Sequence, residues 1–180
     1  MNRTVVITPA AAEPVTLAQA KEQLRIESGF TDDDDYILSL VSAARDRCES
    51  YCNQFFTVQG IAYLYDGPVP TIIELPYPNL TVTALKYTDT SNTDQTIDPS
   101  DYIVNELNQT ILVNTAVSAV SYRIEATTAA PAALDGVEHA IKLILTDLYE
   151  FRTETAVGVS LNENPAVKAL LYPYRLELSI

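Results

Sequence analysis

The feature that most constrains this chain is a change of period in its apolar residues. Between residues 32 and 53 they recur in steps of three and four, through Ile37, Leu40/Val41, Ala44, Cys48 and Tyr51/Cys52, the spacing of one helix face. From residue 57 to 125 the step becomes two. It returns to three and four through Val137, Ala140/Ile141, Ile144/Leu145, Leu148 and Phe151. A period of two cannot line one face of a helix, nor a period of 3.6 one face of a strand. The chain therefore reads as helices, a block of strands, and helices again.

Local signals place the elements. Thr16 and Gln19 have capping-box spacing, so a short helix is expected over 16–26, ending near Gly29. Thr31 and Asp32 to Asp35 load the start of the second helix, 32–53, with acceptors and negative charge facing the positive end of its dipole. Five of the ten prolines lie between 68 and 99, which breaks the β block into short strands, expected at 59–65, 71–75, 82–87, 102–105, 110–113 and 119–125. Residues 89–95 read as a polar hairpin tip and 106–109 as a tight connection. A third helix follows over 132–152, and 153–163 reads as a loop. Asn164-Pro165 has the form of a cap with proline in the first helical position, opening a last helix that Pro173 ends. The fold class expected is α+β: a helical bundle body of about four helices with a β-strand insertion between helices 2 and 3. The body would comprise residues 1–56 and 126–175, the insertion 57–125, and an extended C-terminal arm 174–180.

Composition removes several function classes. The chain has 180 residues, is 47% hydrophobic and only 19% charged, too apolar for an intrinsically disordered protein. No apolar run approaches the roughly 20 residues that span a bilayer, and the N-terminus lacks the core of a signal peptide, so a cytoplasmic product is expected. The net charge of −13 repels phosphate backbones and argues against nucleic-acid wrapping.

A catalytic constellation is not legible. His139 is the only histidine, which leaves no two-histidine metal site and no support for a triad. Cys48 and Cys52, four apart on a helix, lack the other two ligands of a structural zinc site and read as packed thiols. Asp32, Asp33, Asp34 and Asp35 lack the alternation and the glycine of a calcium loop, so a charged first turn is the reading. No phosphate loop, metal or cofactor is expected, and no enzyme.

One segment reads as a binding element. After Pro173, Tyr174-Arg175-Leu176-Glu177-Leu178-Ser179-Ile180 alternates apolar and polar in period two. Such a strand is expected to join a sheet, either on a partner or on its own subunit beside residues 4–8.

The stretch VTLAQAKEQLRIE (15–27), the acidic start DDDDYILSLVSAARDRCESYCNQ (32–54), the block ELPYPNLTVTALKYTDTSNTDQTIDPSDY (74–102), YEFR (149–152) and ALLYPYR (169–175) together resemble the head-tail connector family of tailed phages and prophages. The resemblance implies a structural adaptor of the virion neck, assembled in the host bacterial cytoplasm. It implies a ring, usually of twelve subunits, beneath the portal protein, seating head-closure or tail proteins, with DNA passing through unread and no membrane involved. It also places the portal- or subunit-binding segment on Tyr172, Tyr174, Arg175, Leu176, Leu178 and Ile180. In such a ring Asp32 to Asp35 are candidate DNA-channel acids. The alternative of another class is a small cytoplasmic ligand-binding domain with its pocket in the β block.

Overall fold

The structure is a computed structural model and describes residues 3–131, 134–151 and 164–176. The chain divides into two compact units. One comprises Met1–Ala12 and Thr57–Ala130, the other Glu13–Phe56 and Pro131–Ile180.

The first unit carries eight strands, β1 (Arg3–Thr8), β2 (Gly60–Asp66), β3 (Ile72–Glu74), β4 (Leu80–Asp89), β5 (Asp94–Thr96), β6 (Tyr102–Asn105), β7 (Thr110–Val113) and β8 (Ala119–Thr128). They form two antiparallel sheets, ordered β1-β2-β8-β4-β5 and β3-β7-β6. Register follows burial, because in a strand alternate side chains share a face. Opposite pairs Tyr63–Ile124, Ile61–Ala126 and Leu85–Ile124 place the apolar side chains of β2, β8 and β4 on one buried face. Thr83 is the extra residue of a bulge between Val82 and Ala84, and its hydroxyl donates to the Glu125 carbonyl at 3.0 Å.

The second unit holds α1 (Leu17–Leu24), α2 (Asp34–Cys52), α3 (Asp135–Glu150) and α4 (Pro165–Leu171), followed by a 3₁₀ turn, Tyr172–Tyr174. Thr16 and Gln19 form the reciprocal capping box expected at the start of α1. The helix ends at Arg25, not near Gly29: Arg25 takes the left-handed conformation itself, φ 57°, and its N–H reaches Glu22 and Lys21. A single core joins the helices, with Ile37, Val41, Ala44 and Cys48 of α2 packed with Val137, Ile141 and Leu145 of α3 and Leu171 of α4. The steps of three and four in the sequence are this core face.

A helical-bundle body carrying a β insertion is not the architecture of this chain. Among the described residues, eight strands in two antiparallel sheets make a unit with its own buried set, and that unit begins before the first helix. The physical reason is the free edge of β2. Its backbone N–H and C=O groups need a partner, and Arg3–Thr8 supplies it, pairing Val5 with Ala62 and Val6 with Ile61. Period identifies a strand; it does not say which edge the strand will cover. Asp94 and Gln95, read from sequence as the end of a hairpin tip, belong with Thr96 to the short strand β5 at the other edge of the same sheet.

Candidate functional site

The C-terminal end of α2 is where the helical unit receives the C-terminal segment. The helix stops because Asn53 turns left-handed, φ 53°, which asparagine tolerates better than most residues. That turn aims three groups at the incoming chain. The Cys52 carbonyl accepts from the Leu176 N–H at 2.9 Å, the Asn53 side-chain amide donates to the Leu176 carbonyl at 3.1 Å, and the Gln54 amide donates to the Tyr174 carbonyl. Leu176 thus has both backbone groups bound.

Side chains complete the dock. The Tyr174 ring meets Phe56 edge-on, centroids 6.2 Å apart, and the Arg175 guanidinium lies 5.3 Å from the centre of the Tyr51 ring. Gly136 of α3 makes room: a Cβ there would come within 3.0 Å of the Tyr174 ring and 3.3 Å of the Leu170 carbonyl. Upstream, Asn164 caps α4 by accepting from Ala166 at 3.0 Å, and the Cys52 thiol donates to the Leu171 carbonyl at 3.7 Å. Burial pushes the Cys48 thiol up to about 12, with the neighbouring Cys52 adding to it, and pushes Cys52 up to about 11. Both stay protonated and unreactive near neutral pH.

Of the binding residues expected from the sequence, Tyr174, Arg175 and Leu176 come together on the end of α2. Tyr172 is 72% exposed and faces solvent. Leu178 and Ile180 lie outside the described residues. Sequence reasoning missed Asn53, Gln54 and Gly136. An asparagine just after a periodic apolar run was a legible stop signal for the first; the others act only through a distant segment.

The four aspartates separate into two pairs. Asp33 accepts from the Tyr149 hydroxyl at 2.8 Å, and Asp34 pairs with Lys21 at 2.5 Å, whose ammonium also donates to the Phe30 carbonyl. Asp32 and Asp35 are exposed.

A buried ionic cluster lies one turn back along α2 from the dock. Arg45 donates to Glu13 at 2.7 Å and to Glu49 at 2.8 Å, and Glu49 accepts from the Phe56 N–H at 2.8 Å. Burial works against the Arg45 charge, but the Glu13 hydrogen bond and the fields of Glu49, Glu13 and Asp46 outweigh it and raise its pKa. Burial also raises the Glu49 carboxyl, against the lowering effects of Phe56 and Arg45. Among the described residues no cluster of three His, Cys, Asp or Glu side chains could hold a metal, and no helix is long and apolar enough to cross a membrane.

The profile of the phage gp6-like head-tail connector protein family matches residues 14–112, more than half of the chain. The chain belongs to that family. A head-tail connector is a structural virion component of the neck, an adaptor between head and tail, and this reading prevails over the small ligand-binding domain. The connector's fold is similar to that of a chain in the neck of an empty gene transfer agent particle computed with C6 symmetry, with a TM-score of 0.73 at 20% identity, covering 100% of this chain and 97% of the other. It is also similar to chains of the native gene transfer agent virion (TM-score 0.69, 21% identity) and of the native neck computed with C12 symmetry (TM-score 0.69, 20% identity), again covering 100% of the connector and 97% of each. No curated protein matches the connector.

Proposed function

We propose that the connector assembles as a ring of twelve copies beneath the portal protein, binds the portal through its C-terminal arm, and seats head-closure or tail proteins below. The observation that carries the arm's role is the bonding of Leu176 to the end of α2. A segment that only trails from a subunit has no need of a fixed root. One that must enter a partner gains from it, because a rooted arm loses less freedom on binding. The C6 and C12 symmetry of the similar neck structures supports a ring, and family membership supports a purely structural role without a catalytic step.

Charge suits a passage for DNA. Twelve copies at −13 would carry a total of about −156, a field that keeps a duplex away from the wall and from sequence-specific contact. Asp32 and Asp35, exposed and free of the internal pairs that hold Asp33 and Asp34, are the acids of this run assigned to the channel. Like charge also keeps isolated copies apart, so ring closure requires a template or high salt. Light scattering of the purified connector with and without its portal tests the proposal. A large species only with portal is expected; the same small species in both samples contradicts it.

A further inference from the structure

The three-stranded sheet hides one face and shows the other. On β7, Ile111 and Val113 are buried while Leu112 between them is 40% exposed. Register sets Ile72 of β3 opposite Leu112, and Ile103 of β6 opposite Leu112 on its other side. Directly opposed residues of an antiparallel pair share a face. The three side chains therefore form one apolar row across the whole sheet, with Ile72 60% and Ile103 57% exposed. At a strand spacing of about 4.8 Å the row is roughly 10 Å long. The next row toward the β6–β7 turn is Glu74, Thr110 and Asn105, which contains a single carboxylate. Scattered exposed leucines need no explanation; three aligned across every strand of a sheet do.

We infer that this row is the surface through which one copy of the connector packs against the next. The inference rests on the ring reading and names its contact. Copies that each carry −13 repel wherever acid meets acid, so they are driven to meet where charge is sparse and apolar surface is concentrated. In a ring each copy offers a surface to a different surface of its neighbour, so the row is used once per interface and its loss weakens every interface equally. Three half-exposed side chains fall short of the roughly 1,200 Å² buried in a stable interface. That agrees with copies that stay apart until portal or salt brings them together.

The test is sedimentation velocity of the full chain at low and high salt, with and without portal, on wild type and on the double variant Ile103→Ser/Leu112→Ser. Thermal melting checks the fold, and Ile72→Ser, at the most exposed position of the row, is the milder substitute if the double variant melts early. The wild type should form rings on portal, and a row variant should need at least about tenfold more protein to do so. Leu107→Ser, at the 95% exposed tip of the β6–β7 turn, should assemble like wild type. Undiminished assembly of a folded row variant overturns the inference and leaves the ring reading intact. Loss of assembly with Leu107→Ser alone moves the contact to the turn and also overturns it. A wild type that stays small in every sample overturns both readings together.

Discussion

The two units handle polar groups in opposite ways. The helical unit buries charge: Lys21, Arg45 and Glu49 are all less than a tenth exposed. Among the described residues the buried polar residues of the β unit are neutral, Thr57, Gln59 and Thr128, and the Thr128 hydroxyl ties their backbones together, accepting from the Gln59 N–H at 3.0 Å and donating to the Thr57 carbonyl at 2.6 Å. Its ion pairs, Lys86–Glu125 and Arg123–Asp94, lie toward the surface. The contrast shows two routes to a defined fold. Strand register fixes a sheet through dozens of small, redundant constraints. Short helices that could slide are instead pinned by a few buried ionic contacts that work only as a set.

The largest expected effect follows from breaking that set. Arg45→Ala leaves Glu13 and Glu49 facing each other without their guanidinium, a loss of about 3–5 kcal/mol. Hydrogen exchange should accelerate throughout α1, α2 and α3 and least in β2, β4 and β8. Equal acceleration in both units would contradict the assignment of this cluster to the helical unit alone. A smaller effect is expected from Cys48→Ala and Cys52→Ala, about 1 kcal/mol per site, because each removes one buried sulfur from a core that can partly close. Urea melts of the pair should show that loss and assembly should persist; a metal bound by the wild type and lost in the variant would overturn the packing account.

The gentlest way to separate the units is acid. Asp94, bonded to Arg123 and Thr88, and Glu125, bonded to Lys86 and Arg123, are held below ordinary carboxyl values, as are Asp89 and Asp98 by backbone N–H groups. Their contribution is present above the unfolded value near 4 and is lost as pH falls through the folded one. Glu49 has the opposite sign: its folded carboxyl binds a proton more readily than the unfolded chain does, so its contribution is greatest at low pH and is lost as pH rises through its raised value. Between pH 6 and 3, exchange should quicken in β4, β5 and β8 before it does in α2, and the reverse order would refute the comparison.

Much of this arrangement could be read from the residues. The apolar steps of α2 and α3, the capping box at Thr16 and the cap at Asn164 are local, and each was legible. What was not legible involves pairing at a distance. β1 alternates like any short strand, but nothing in Arg3–Thr8 names β2 as its partner across more than fifty residues. Four consecutive aspartates look equivalent, yet Tyr149 and Lys21 arrive from other helices, bind Asp33 and Asp34 and leave them half-buried. The C-terminal alternation suggested a strand; its root on Cys52, Asn53 and Gln54 depended on a helix end lying 120 residues earlier in the chain.

That root is the centre of the functional account, and a short deletion probes it. Removing residues 177–180 leaves Tyr174, Arg175 and Leu176 on the end of α2, so the helical unit keeps its dock and loses only residues proposed to enter the portal. Portal binding of the truncated and full-length connector, measured by sedimentation alongside their melting curves, tests the claim directly. The account predicts superimposable melts and a loss of at least about tenfold in portal affinity. Unchanged affinity for the portal would contradict it.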